Sequence, residues 1–181
     1  GSGSSPSAVK VRNSGPPCDA AGWRGRRAHA RLTAMEETPV LSAVADGVIT
    51  LTLNRPQRLN AMNNALIEAM NRELARAKDD PAIRAVLLTG TGRGFCAGAD
   101  LSGGGTVDSA AREPPDLGAN MDRIFNPMIR AMRALPKPIV GAINGVAAGG
   151  GAGFALACDI VLAARSARFD QAFVRISLIP D

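Results

Sequence analysis

Tyrosine is absent from this 181-residue chain, aromatic residues make up 3% of it, and the only histidine is His29. His29 lies in a stretch rich in Ser, Gly, Pro and Arg that shows no hydrophobic period, the composition of a disordered tail or an artificial leader. The remainder therefore cannot build a Ser-His-Asp or Cys-His nucleophile system, nor a histidine metal site. The three cysteines, Cys18, Cys96 and Cys158, stand far apart. They lack metal-ligand spacing, and their odd number suits a reducing compartment. No apolar run reaches membrane-spanning length and no secretory signal is recognisable, so a soluble, cytoplasmic protein is expected. Acid–base chemistry, if present, must come from carboxylates or basic side chains.

The net charge of +5 invites a polyanion partner until it is located. Six of the 21 basic residues but only Asp19 of the 16 acidic ones fall in residues 1–34, leaving fifteen of each sign elsewhere. The folded part is neutral, and Trp23 is the one aromatic residue among the tail's arginines, too few to interleave with them, so no nucleic-acid partner is expected. An Arg-rich leader also suits a transit peptide, although the Gly-Ser opening argues against it. The domain division expected is a tail over 1–34 and a core domain over 35–181, with Met35 the natural start.

Alternating, β-branched runs at 40–45 and 48–54 flank Asp46-Gly47, a hairpin signal. Asn63 or Asn64 can cap a helix whose apolar positions Leu66, Ile67, Met70, Leu74 and Ala77 recur at helical spacing. A strand over 83–89, a flexible Gly- and Pro-rich loop over 102–116, and a helix from Leu117 to Leu135 follow. Pro136-Lys137-Pro138 resets the chain into a strand over 139–143; a helix over 151–157 and a strand over 160–164 come after. Strands alternating with helices behind an opening hairpin predict an α/β layered fold with mostly parallel connections. The ending at Asp181 looks premature, because nothing downstream covers the last sheet layer.

Two glycine-bearing loops carry the chemistry. Phe95-Cys96-Ala97-Gly98-Ala99-Asp100-Leu101 and the run Gly145 through Gly153 each follow a strand-like stretch. Backbone without side chains lets a ligand approach main-chain N–H groups closely, and two such groups aimed at one oxygen would form an oxyanion hole. The dinucleotide fingerprint fails, since its last glycine would fall on Phe154 or Leu156, and no Gly-Lys-Ser/Thr phosphate loop exists. A tight turn with close helix packing explains one glycine, but Gly149, Gly150, Gly151 and Gly153 crowd one helix entrance.

Together with Asn54-Arg55-Pro56, Asn60-Ala61-Met62, Ala142-Ile143-Asn144-Gly145-Val146 and Cys158-Asp159-Ile160, these loops make the chain resemble the enoyl-CoA hydratase/isomerase (crotonase) superfamily from about residue 40 to 181. The resemblance implies a ClpP-like spiral of ββα units whose C-terminal helical part is absent here, and assembly as a homotrimer or hexamer. It implies an acyl-CoA substrate, with no cofactor beyond the coenzyme A of the substrate itself. By position, the amides of Ala99 and Gly150 would stabilise a thioester enolate. Arg58, Leu59 and Ala61, with Ala97, Gly98, Asp100 and Leu101, would line the CoA pocket, mainly through backbone.

Departures from the family pattern decide the expected reaction. Hydratases use two glutamates to activate water; their positions hold Gly153 and Phe173 here, which transfer no proton. Asp181, after Leu178-Ile179-Pro180, matches family members that move a double bond or rearrange ring epoxides, and would relay a proton in a site that Gly149, Gly153 and Phe173 keep apolar. A helix N-cap is the plainer role for Asp181. Asp100 is expected to hydrogen-bond within its loop, Asp159 to order a strand entrance, Asp170 to border the pocket or face solvent, and Glu68 and Glu73 to lie on a solvated helix face. The expected activity is acyl-CoA isomerisation, with a hydratase-type lyase or a catalytically silent acyl-CoA-binding scaffold as alternatives.

Overall fold

The computed structural model describes residues 38–102, 116–176 and 179. The tail expected over 1–34, most of the loop expected over 102–116, and Asp181 lie outside these residues.

The hairpin forms as its turn residues dictate. Strand β1 (Val40–Ala45) pairs antiparallel with β2 (Val48–Leu53), and Asp46 (φ 52°) and Gly47 (φ 81°) take the positive φ values that a two-residue turn matched to strand twist requires. Helix α1 (Asn64–Asp79) begins where Asn63 accepts a hydrogen bond from the Leu66 amide at 3.0 Å. Its predicted apolar stripe is buried throughout. Glu68 is exposed as expected, whereas Glu73 is half-buried and pairs with Arg76 at 3.5 Å.

Strand β3 (Ala85–Gly90) starts two residues later than predicted, although Ile83 is still buried. The next helical segment runs through α2 (Leu117–Asn120), a π turn (Met121–Phe125) and α3 (Asn126–Arg133). The periodicity predicted one uninterrupted helix; Pro127 breaks it, because proline has no N–H to donate to the preceding turn and its ring crowds the carbonyl there. Strands β5 (Ile139–Ile143) and β7 (Ile160–Ala163) complete a five-stranded sheet of order β1-β2-β3-β5-β7. All its pairings after the hairpin are parallel.

One face of this sheet carries Ile49, Leu51, Leu53, Val86, Leu88, Ile139 and Ile143, all buried in one cluster with the stripe of α1 and with Met128 and Met132 of α3. Burying each such side chain stabilises the fold by about 1.5–3 kcal/mol relative to exposure. Outer positions are more open: Leu41 and Val44 on β1, and Ile160 and Leu162 on β7, are exposed. No helix of the described residues is long and apolar enough to cross a membrane.

A second sheet, which the sequence pattern did not predict, holds the glycine loops. It contains β4 (Gly94–Cys96), β6 (Val146–Ala148) and β8 (Arg168–Asp170), in the order β4-β6-β8 and all parallel. Each follows a strand of the first sheet by a short corner, so β3–β4, β5–β6 and β7–β8 are successive, stacked turns of a spiral. Helix α4 (Gly150–Leu156) leaves β6. Three-residue strands are too short to show a period-2 pattern, which is why they escaped sequence reading.

Asparagines stitch the corners together. Asn144 accepts from the Gly90 amide at 3.1 Å and donates to the Gly92 carbonyl at 2.8 Å. At Gly145 the corners approach so closely that a Cβ would stand 2.0 Å from the Arg93 carbonyl oxygen. Asp159 accepts from the Ile139 amide at 2.8 Å, which orders the entrance of β5 as expected.

Candidate active site

The glycine loops meet at the ends of β4 and β6. Met62 forms a single parallel bridge with Ala99: its amide donates to the Gly98 carbonyl at 2.7 Å, and the Asp100 amide donates to the Met62 carbonyl at 2.9 Å. In a parallel bridge the flanking groups make both bonds, so the N–H of Ala99 itself points away from Met62. Gly150 is the first residue of α4, where an N–H has no intrahelical acceptor. Neither amide finds an acceptor among the described residues.

Close packing brings Gly98, the residue before Ala99, against the entrance of α4. A Cβ on Gly98 (φ +91°) would stand 2.8 Å from the Ala148 carbonyl oxygen and 3.4 Å from the Gly150 nitrogen. A Cβ on Gly151 would collide with the Cys96 carbonyl at 2.2 Å and the Gly98 nitrogen at 2.9 Å. Gly149 adopts φ 51°, ψ −130° and donates to the Asp170 carbonyl at 2.8 Å, which fixes the turn that presents Gly150. The packing reading of the glycines applies to Gly98 and Gly151, whose absent side chains let the two loops touch.

Residues 58–62 lie against the first loop. Leu59 (φ 48°) and Asn60 (φ 56°) take left-handed backbone, and the Leu59 carbonyl accepts from the Ala97 amide at 3.0 Å. Buried Asn60 donates to the Thr91 and Gly94 carbonyls at 3.0 and 2.8 Å and accepts from the Arg55 amide at 2.8 Å. Ala61 and Gly98 are buried, Leu59 and Ala97 half-buried, and Arg58 and Leu101 exposed. Gly153 is exposed, with nothing within 4 Å of a Cβ placed on it. The half-buried Phe173 ring lies 3.9 Å from a Cβ placed on Gly149. Asp170 caps the next turn by accepting from the Ala172 amide at 3.0 Å, and it pairs with Arg175 at 3.2 Å. Asp181 lies outside the described residues.

One group passed over in the sequence reading turns out to matter. Arg55, quoted only as part of a motif, places Nη2 2.7 Å from Asp100 Oδ2 and donates through Nη1 to the Ala61 carbonyl. Asp100 Oδ1 accepts from the Ser102 hydroxyl at 2.6 Å and the Ser102 amide at 3.1 Å. Burial alone would raise the Asp100 pKa; the Ser102 and Arg55 hydrogen bonds outweigh it and hold it at about 2. An arginine and an aspartate 45 residues apart offer no local signal of such a pair. Cys96 is a core residue: burial pushes its thiol up to about 12, offset only in part by a hydrogen bond from the Gly98 amide.

A separate open hollow of about 340 Å³ lies at the ends of β3, β5 and β7, lined by Thr89, Ala142, Ile143, Asn144, Leu162, Ala163 and Ala164. It holds none of the loop amides, and its walls are almost wholly apolar.

Residues 43–181 match the family model for enoyl-CoA hydratase/isomerase. The chain belongs to the enoyl-CoA hydratase/isomerase family. It is 51% identical over 142 residues to the 1,2-epoxyphenylacetyl-CoA isomerase of Escherichia coli K12, covering 78% of this chain and 53% of that protein. It is 42% identical over 138 residues to a "probable enoyl-CoA hydratase" of Rhodobacter capsulatus, covering 76% and 51%. Among solved structures it resembles an enoyl-CoA hydratase from Polaromonas sp. JS666, with TM-score 0.69, 34% identity, and coverage of 78% and 54%. The chain thus spans about half the length of the relatives it matches. The family has the crotonase fold, and the stacked β3–β4, β5–β6 and β7–β8 turns are its spiral.

Proposed function

We propose that the protein is an acyl-CoA isomerase that works through a thioester enolate. The observation that carries the reading is two acceptor-free amides, Ala99 and Gly150, on either side of the close Gly98–Gly150 approach. Both would donate to the thioester oxygen, and each such donor is worth about 3–4 kcal/mol in a transition state where charge grows on that oxygen. Asp181 would take a proton from C2, leaving a dienolate with its charge on the held oxygen, and return one at C4. The double bond then moves from C3–C4 to C2–C3 with no net gain or loss of atoms. Gly153 and Phe173 supply no second carboxylate to activate water, which favours proton relay over hydration. The similarity to an epoxyphenylacetyl-CoA isomerase adds support, and rearrangement of a ring epoxide on a CoA ester fits the same donors. Assembly as a trimer or hexamer belongs to this reading.

A hydratase-type reaction is the second reading, favoured by the similarity to the Rhodobacter capsulatus protein. Replacing Asp181 by Asn separates the possibilities. Loss of C2 deuterium exchange with acyl-CoA binding retained is the expected outcome, and unchanged turnover of a 3-enoyl-CoA would refute the relay. Conversion of a 2-enoyl-CoA to its 3-hydroxy product by the unaltered protein would favour the hydratase. Binding without any exchange would favour a silent scaffold.

A further inference from the structure

We infer that the Arg55–Asp100 ion pair is a positioning device for the Ala99 amide, clamping the Met62–Ala99 bridge from both strands. The inference rests on the oxyanion reading above and concerns what aims one of its two donors. The bridge consists of only two hydrogen bonds, Met62 to Gly98 and Asp100 to Met62. Outside any ladder, the bridge has only the Ala97-to-Leu59 hydrogen bond beside it, on its N-terminal side, to hold its angle. The Arg55 guanidinium supplies a further restraint: one nitrogen holds the carbonyl of Ala61, the residue before Met62, and another holds the carboxylate of Asp100, the residue after Ala99. The planar fork fixes the spacing of these two groups and so the twist of the peptide between Gly98 and Ala99. The Asp100 side chain is 5% exposed and that of Arg55 18%, so the pair is largely shielded from solvent. Asp100 is turned by Ser102 and Arg55, not toward the free amides. It therefore acts through Ala99 rather than on a substrate.

A lysine at position 55 keeps the charge and loses the fork, which makes R55K the informative variant; D100N removes the charge on the other side. The readout is the infrared stretch of a ¹³C-labelled thioester carbonyl, in hexanoyl-CoA and phenylacetyl-CoA bound to the full chain. A merely structural residue would not move that band. In the unaltered protein the band should fall in frequency on binding. The expected result in R55K and D100N is loss of a substantial part of that fall. Kd should change less than about threefold, and kcat for C2 exchange should drop about 10- to 100-fold at nearly constant KM. Asn144→Ser, which loosens a corner away from Ala99, should lower the melting temperature and leave the band as in the unaltered protein. A band unshifted in the unaltered protein would overturn the oxyanion reading and this inference with it. A shift that persists in both variants would overturn this inference alone. Unfolding of both R55K and D100N would show the pair to be structural and would equally overturn it.

Discussion

Replacing Gly98 by alanine adds one methyl group where the two glycine loops touch. Two costs follow from the geometry. The backbone sits at φ +91°, a region that costs a residue with a Cβ about 1–3 kcal/mol. The methyl carbon would stand 2.8 Å from the Ala148 carbonyl oxygen, closer than Cβ atoms approach, and the atom it meets is backbone. That backbone cannot easily yield, because the N–H of the same peptide unit, that of Gly149, is already committed to the Asp170 carbonyl at 2.8 Å. The loops must part by roughly half an ångström, for a total destabilisation of about 2–4 kcal/mol. The same parting separates the Ala99 and Gly150 amides, and misplacing a catalytic group by about 1 Å costs about 100-fold in rate.

Urea denaturation and the rate of C2 deuterium exchange on a bound acyl-CoA measure the two consequences independently. Gly153→Ala supplies the contrast. It adds the same methyl group three residues into α4, into open space, where alanine stabilises a helix by up to about 1 kcal/mol over glycine. The two substitutions should shift the denaturation midpoint in opposite directions. A G98A protein within about 0.5 kcal/mol of the unaltered one, exchanging at the same rate, would refute the claim that this contact holds the donors together.

Lys137 donates to the Ala77 carbonyl and, at 2.8 Å, to the Asp80 carbonyl, so it caps the C-terminal end of α1; Lys137→Met should cost about 1–2 kcal/mol in a thermal melt. Burial raises the thiols of Cys96 to about 12 and Cys158 to about 11. Both should stay unlabelled by a disulfide reagent at pH 8 in the native protein and react once it is denatured. The folded-state pKa of Asp100, about 2, lies below its usual 3.8. The stability it contributes is therefore full above about pH 4 and is lost as pH falls through about 2, on the order of 2 kcal/mol in all. D100N should flatten that acid limb of the stability curve, and an unchanged limb would contradict the assigned partners.

The hairpin, α1 with its Asn63 cap, β5 and α4 were legible because each rests on a local rule: a turn dipeptide, a 3.6-residue stripe, a capping side chain, a glycine-opened helix. What escaped was whatever depends on residues brought together by the spiral. Three-residue strands such as β4 have no period of their own and exist because β6 lies beside them. The π turn at Met121–Phe125 was foreshadowed by Pro127, whose missing N–H overrides an otherwise good helical stripe. The glycine run shows the limit most plainly, since its members look interchangeable in sequence. In the fold, Gly151 has a carbonyl against the place of its absent Cβ, Gly149 holds a backbone angle few other residues adopt, and Gly153 faces open space. Steric demand therefore explains two of these glycines and fails for the third.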